Sequence, residues 1–144
     1  CSSDLRHATA IAIVISAAAA GVGVAEGTYA AAGSDAAGYI SEAALLANGS
    51  VARVEPLASV VSSPGARTFA PLGFRPGAIA GEIVPTYPPG LPLLMAAAMN
   101  SGIPLAEFLV VPLIAAAAVF LTFLLGLRTH SPSAGLLTRR QPRQ

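Results

Sequence analysis

The chain has 144 residues, of which 54% are hydrophobic and only 10% charged, against roughly 25% charged in an ordinary soluble domain. Together with a mean hydropathy of +0.69, this excludes disorder over most of the length and excludes a simple soluble globule. Net charge is +1, all eight basic residues are arginine, and no basic run precedes the last six residues. The electrostatic footprint of a nucleic-acid binder is therefore missing, and one cysteine with two separated histidines excludes a disulfide framework or a conventional zinc site.

Taken in chain order, 1–7 is a short polar flank with Arg6. Residues 8–25 form an uncharged run of eighteen around Ile11, Ile13, Val14 and Ile15, near the lower limit of roughly 17–25 residues for a spanning helix. Its Ala- and Gly-rich second half offers a smooth surface to a neighbouring helix. A cleaved signal peptide, with Gly23-Val24-Ala25 as the small-residue site, is an alternative. Cys1, standing where an initiator Met belongs, suggests either a start inside a longer frame or a lipid-modified lipoprotein terminus. A second uncharged run, 108–127, is dense in Phe and Leu towards its end and spans with Pro112 inside it.

Arginine placement orients the two spans. Arg128, Arg139, Arg140 and Arg143 follow the second run without an acidic residue. The intervening segment holds Glu26, Asp35, Glu42, Glu55 and Glu82 among only three arginines. The positive-inside rule puts both ends, including the basic tail 128–144, in the cytoplasm and the 26–107 loop outside. The expected fold class is an all-α membrane protein, two transmembrane helices flanking a large exoplasmic loop with short interfacial helices.

Within that loop, Ala36, Tyr39, Ile40, Ala43 and Ala47 keep helical spacing and predict a helix over 35–47, stopped by Asn48-Gly49, with Ser34 or Asp35 as its cap. From 50 to 85, Pro64-Gly65, Pro71, Gly73, Pro76-Gly77 and Gly81 predict irregular chain. Pro88-Pro89-Gly90 opens an apolar segment, 91–99, too short to span and suited to lying at the interface.

Candidate chemistry is sparse. Asp35, beside the positive end of a helix dipole, is the carboxylate best placed to take a proton, although Asp also favours helix starts for structural reasons. Glu42 lies on the same face roughly 10 Å further along and reads as a solvated glutamate. Tyr39 and Tyr87 are suited to bonding a sugar or to anchoring at a headgroup layer, and Arg75 to clamping a lipid phosphate. No triad, elbow or dinucleotide motif appears.

The order Ser34-Asp35-Ala36-Ala37-Gly38-Tyr39-Ile40-Ser41-Glu42-Ala43, Phe69-Ala70-Pro71-Leu72-Gly73-Phe74 and Tyr87-Pro88-Pro89-Gly90-Leu91-Pro92-Leu93-Leu94-Met95-Ala96, set between two spans, resembles the N-terminal part of the integral-membrane C-type glycosyltransferases. It looks closest to the bacterial lipopolysaccharide-core galacturonosyltransferase-like group, with protein O-mannosyltransferases and the lipid A aminoarabinose transferase as broader kin. The resemblance implies an inner-membrane enzyme that moves a sugar from a polyprenyl-phosphate donor to an exoplasmic glycan, lipid or protein acceptor. It implies Asp35 as the catalytic residue, a general base, with Tyr39 and Ala43 keeping the family-like Asp-x-x-x-Tyr-x-x-x-Ala spacing. Beside it, the chemistry of their side chains makes Tyr39, Arg75 and Tyr87 the expected substrate-binding residues. Ala36 stands where some members carry a second acidic residue, which argues against a divalent metal, and no other cofactor is implied. Such enzymes have many more spans, so the expectation is a truncated frame, inactive alone. The alternative is a small non-catalytic two-span protein whose loop binds a partner or lipid. A transporter fragment is disfavoured because neither span holds a central ionisable residue.

Overall fold

The computed structural model describes residues 2–57 and 70–129. In order, these form α1 (Ser2–Ala25), α2 (Ser34–Ala47), β1 (Arg53–Val54), β2 (Phe74–Pro76), β3 (Glu82–Pro85), α3 (Gly90–Met99), a 3-10 turn (Ala106–Leu109) and α4 (Val110–Thr129). Phe69 and the tail arginines Arg139, Arg140 and Arg143 lie outside the described residues. Two compact units result: α1 with α4, and Thr28–Val110.

The α1–α4 unit follows from composition. Helix α1 starts earlier than its uncharged run, with Asp4 in a first turn whose dipole favours an acid. Side-chain hydroxyls bond within their own helices: Thr9 to the Leu5 carbonyl, Ser16 to Ala12 and Thr122 to Ala118, each at 2.8 Å. Such internal pairing is what an apolar surrounding demands. Ala8 and Ala12 pack on Phe123, with Phe120 and Leu127 alongside. Near the other end of α1, a side chain on Gly23 would meet Pro112 at 3.1 Å, so the helices run antiparallel and close together. Pro112 sits in the first turn of α4, where a missing N–H breaks no helical bond. Arg128 occupies the last turn, where a cation suits the dipole. Outward-facing Ile13, Val14, Leu113, Leu121 and Leu125 are exposed. Only 17% of each apolar window is buried, and both helices are long and apolar enough to cross a bilayer.

The Thr28–Val110 unit is more than interfacial helices, and the all-α expectation is corrected here. The stretch expected to be irregular contains a three-stranded antiparallel sheet of order β1-β3-β2, with Arg53 opposite Ile83 and Phe74 opposite Pro85. Strands of two to four residues are too short to display an alternating pattern, so their pairing, not their composition, makes them visible. Ile83, on the central strand, is fully buried. Helix α2 packs along α3; the buried residues of α2 are Gly38, Glu42 and Ala43, and those of α3 are Pro92, Met95 and Ala96. The amide of Asn100 donates to the Ala47 carbonyl at 3.3 Å and ties their C-terminal ends. Helices α2 and α3 fall within one residue of the expected ranges. The α2 stop is Asn48, whose side chain donates to the Ala44 carbonyl at 2.7 Å, followed by Gly49 at φ +72°.

Candidate active site

Three short segments, distant in sequence, converge on one tyrosine. The first is the start of α2. Gly33, in an extended left-hand conformation at φ +88°, precedes the helix and makes no side-chain cap. Ser34 and Asp35 therefore lie inside the helix, and the expected capping role is replaced. Asp35, exposed in the first turn, accepts a hydrogen bond on Oδ1 from the Tyr87 hydroxyl at 2.7 Å.

The second segment is the turn before β2. The Phe74 amide donates to the Pro71 carbonyl at 3.0 Å, and Gly73 closes this turn at φ +87°. That region suits glycine because a Cβ would crowd the following carbonyl. The Gly73 carbonyl then accepts from both the amide and the hydroxyl of Thr86, at 3.0 and 3.1 Å. This pairing prolongs the β2–β3 ladder by one step and delivers the third segment, Tyr87, at the open end of the hairpin.

Glycines make room for the ring. A Cβ on Gly38 would collide with the Tyr87 ring, and one on Gly73 would come within 2.7 Å of the Gly38 Cα and 3.0 Å of Tyr87 Cε2. The ring thus lies across the α2 backbone at Gly38, its hydroxyl reaching one turn back to Asp35. Tyr39 covers it, with ring centroids 4.6 Å apart and planes inclined at 36°. Prolines 88 and 89 then start α3, the Leu93 amide bonding to the Pro89 carbonyl at 2.9 Å.

The electrostatics follow from this geometry. Donation to Asp35 holds the Tyr87 phenol above the usual tyrosine range, helped by partial desolvation and by the charges of Asp35 and Tyr39. Tyr87 therefore stays a donor and orients the carboxylate. Among the described residues Asp35 Oδ2 has no hydrogen bond, so one oxygen is fixed and the other is available to take a proton.

Of the four residues singled out from the sequence, Asp35, Tyr39 and Tyr87 come together and Arg75 does not. Arg75 is exposed in the middle of β2, opposite Val84. Its neighbour Phe74 turns towards α2, lining a hollow of about 260 Å³ with Ser41, Leu45, Asn48 and Arg53, so strand alternation directs Arg75 to the other face. Arg53 lies over the Phe74 ring at 5.5 Å and pairs with Glu55 at 3.2 Å. Among the described residues no three His, Cys, Asp or Glu side chains gather as a metal-binding group.

Sequence reasoning missed two participants and misread a third. Gly38 and Gly73 act through what they lack, a Cβ, and only the approach of Tyr87 reveals that. Glu42, expected to be solvated, is buried at 4% exposure. The signal was present: Asp35, Gly38, Tyr39 and Glu42 share one helical stripe, and a glycine in that stripe marks a face that another element approaches closely.

Comparison with protein-family models, with curated proteins and with solved structures returns no match for this chain.

Proposed function

We propose that the Thr28–Val110 unit is the exoplasmic, acid-bearing loop of a membrane glycosyltransferase of the C type, with α1 and α4 as its flanking spans. The donor is a polyprenyl-phosphate-linked sugar and the acceptor a hydroxyl of a cell-envelope glycan, lipid or protein. The observation that carries the reading is the Asp35–Tyr87 hydrogen bond. It joins the very segments whose order resembles that family, and it leaves one carboxylate oxygen exposed at the start of α2.

In this reaction Asp35 Oδ2 accepts the proton of the acceptor hydroxyl as its oxygen bonds to the anomeric carbon. The bond from that carbon to the phosphate oxygen breaks, and polyprenyl phosphate leaves with the electron pair. Tyr87 holds the carboxylate in place throughout, and Tyr39 offers a ring beside it for a sugar face. With donor and acceptor confined to one membrane surface, positioning supplies much of the rate.

The test is Asp35→Asn in an intact enzyme that keeps the Asp-x-x-x-Tyr segment. Transfer of labelled sugar from the lipid donor is expected to fall at least about 10²-fold, the usual contribution of a general base, while membrane insertion is unchanged. Undiminished transfer overturns the assignment.

A further inference from the structure

Helix α2 carries a second carboxyl that the proposed chemistry leaves unused. Glu42 is 4% exposed, and its neighbour Ala43 is fully buried. Its Oε2 is out of solvent and has no hydrogen-bond partner among the described residues. A buried polar atom with no partner is uncommon in folded proteins and calls for a reason. A buried ionised carboxylate without a partner is worse, because nothing replaces its lost hydration.

Among the described residues, no countercharge answers Glu42 from the elements around it. Helix α3, packed along α2, has no titratable side chain between Gly90 and Met99. The segment before it brings Tyr87, whose hydroxyl is committed to Asp35. Strand β3 brings Glu82, itself acidic and lying against Gly77. On the β1 side, Arg53 is paired with Glu55, and on β2 Arg75 is exposed on the far face. On α2 itself the titratable companions in the same stripe are Asp35 and Tyr39.

We propose that Glu42 is a proton-operated latch, keeping α2 seated in the Thr28–Val110 unit while its carboxyl is neutral and loosening that helix when the carboxyl ionises and seeks water. The placement ties the latch to the site. Glu42 lies one turn beyond Gly38 and Tyr39, so a shift of α2 at this point displaces the surface on which the Tyr87 ring rests, and with it the Asp35 hydrogen bond. This holds whether or not Asp35 takes a proton from a sugar acceptor.

The direction with pH follows from burial, which pushes the Glu42 carboxyl above its ordinary range. The folded state then binds the proton more tightly than the unfolded one. The stabilisation is complete below the ordinary carboxylate value and is lost as pH rises through the raised one.

The experiment is hydrogen–deuterium exchange of the full chain in detergent micelles, following amides 36–47 at about pH 4, below the ordinary glutamate value, and at about pH 8. After correction for intrinsic exchange, protection of these amides is expected to fall by about tenfold or more at the higher pH. Glu42→Gln, neutral and of the same shape, is expected to keep the low-pH protection at both values. Asp35→Asn is expected to retain the step, which separates the latch from the Asp35–Tyr87 pair. Wild-type protection that is the same at both pH values overturns the proposal, as does an undiminished step in Glu42→Gln. If Glu42→Gln does not fold, Glu42→Leu carries the same comparison.

Discussion

In the α1–α4 unit the buried contacts are small side chains, Ala8 and Ala12, closing on Phe123, while most of each helix presents Ile, Val and Leu outward. In the Thr28–Val110 unit the buried set is mixed: Ile83 and Met95, but also Gly38 and a glutamate. The first is built from local rules, because each helix satisfies its own backbone and any apolar surround will do for its exterior. The second depends on contacts between residues far apart in sequence, such as Asp35 with Tyr87 and Gly73 with Thr86. A helix pair of the first kind tolerates most single changes. A small mixed unit of the second kind has a few positions on which everything converges.

That contrast can be broken most forcefully at Ile83. Buried on the central strand between β1 and β2, its truncation to Ala removes transfer energy and leaves a cavity, and the expected loss is about 2–5 kcal/mol. Leu125→Ala, an exposed position on α4, is expected to change stability by less than about 0.5 kcal/mol. Denaturant titration of the full chain in micelles compares the two directly. Equal effects would dissolve the distinction between the units.

A finer probe is Gly38→Ala. The added methyl occupies the place of the Tyr87 ring, and overpacking of this kind costs about 1–3 kcal/mol. The more telling result is local: the chain has three tyrosines and no tryptophan, so the near-ultraviolet dichroism of the Tyr39–Tyr87 pair is expected to collapse while helix content stays the same. A dichroism band that survives the substitution means the ring does not lie across Gly38.

The smallest expected effect is spectroscopic. With its hydroxyl donating to Asp35, Tyr87 ionises above the usual tyrosine range. A folded-state value raised in this way contributes stability at lower pH that is lost as pH rises through it. In an absorbance titration, Tyr87→Phe is expected to remove a step above about pH 10, and Asp35→Asn to move that step down. If Asp35→Asn leaves it in place, the hydrogen bond is not what perturbs the phenol.

Much of the outline was readable in advance because it rests on local physics. Uncharged runs of about twenty residues announce helices of spanning length, the spacing of Tyr39, Ile40 and Ala43 announces α2, and the prolines before Gly90 announce the start of α3. The candidate residues Asp35, Tyr39 and Tyr87 were also identifiable by type, as a carboxylate and two aromatic hydroxyls in a loop otherwise poor in reactive groups. Their grouping was not, since 52 positions separate Asp35 from Tyr87. The sheet escaped notice because its strands have two to four residues, shorter than any alternation can be read.

Composition alone decided that the described residues include two long apolar helices, since helical periodicity and hydropathy are properties of neighbouring residues. Tertiary packing alone decided that Gly38 and Gly73 form the seat of a tyrosine, that Arg75 turns away from Asp35, and that Glu42 is inside. Those outcomes depend on which surface meets which. A glutamate on a helix is solvated or buried according to what packs over its stripe, and nothing within one turn of the chain carries that information.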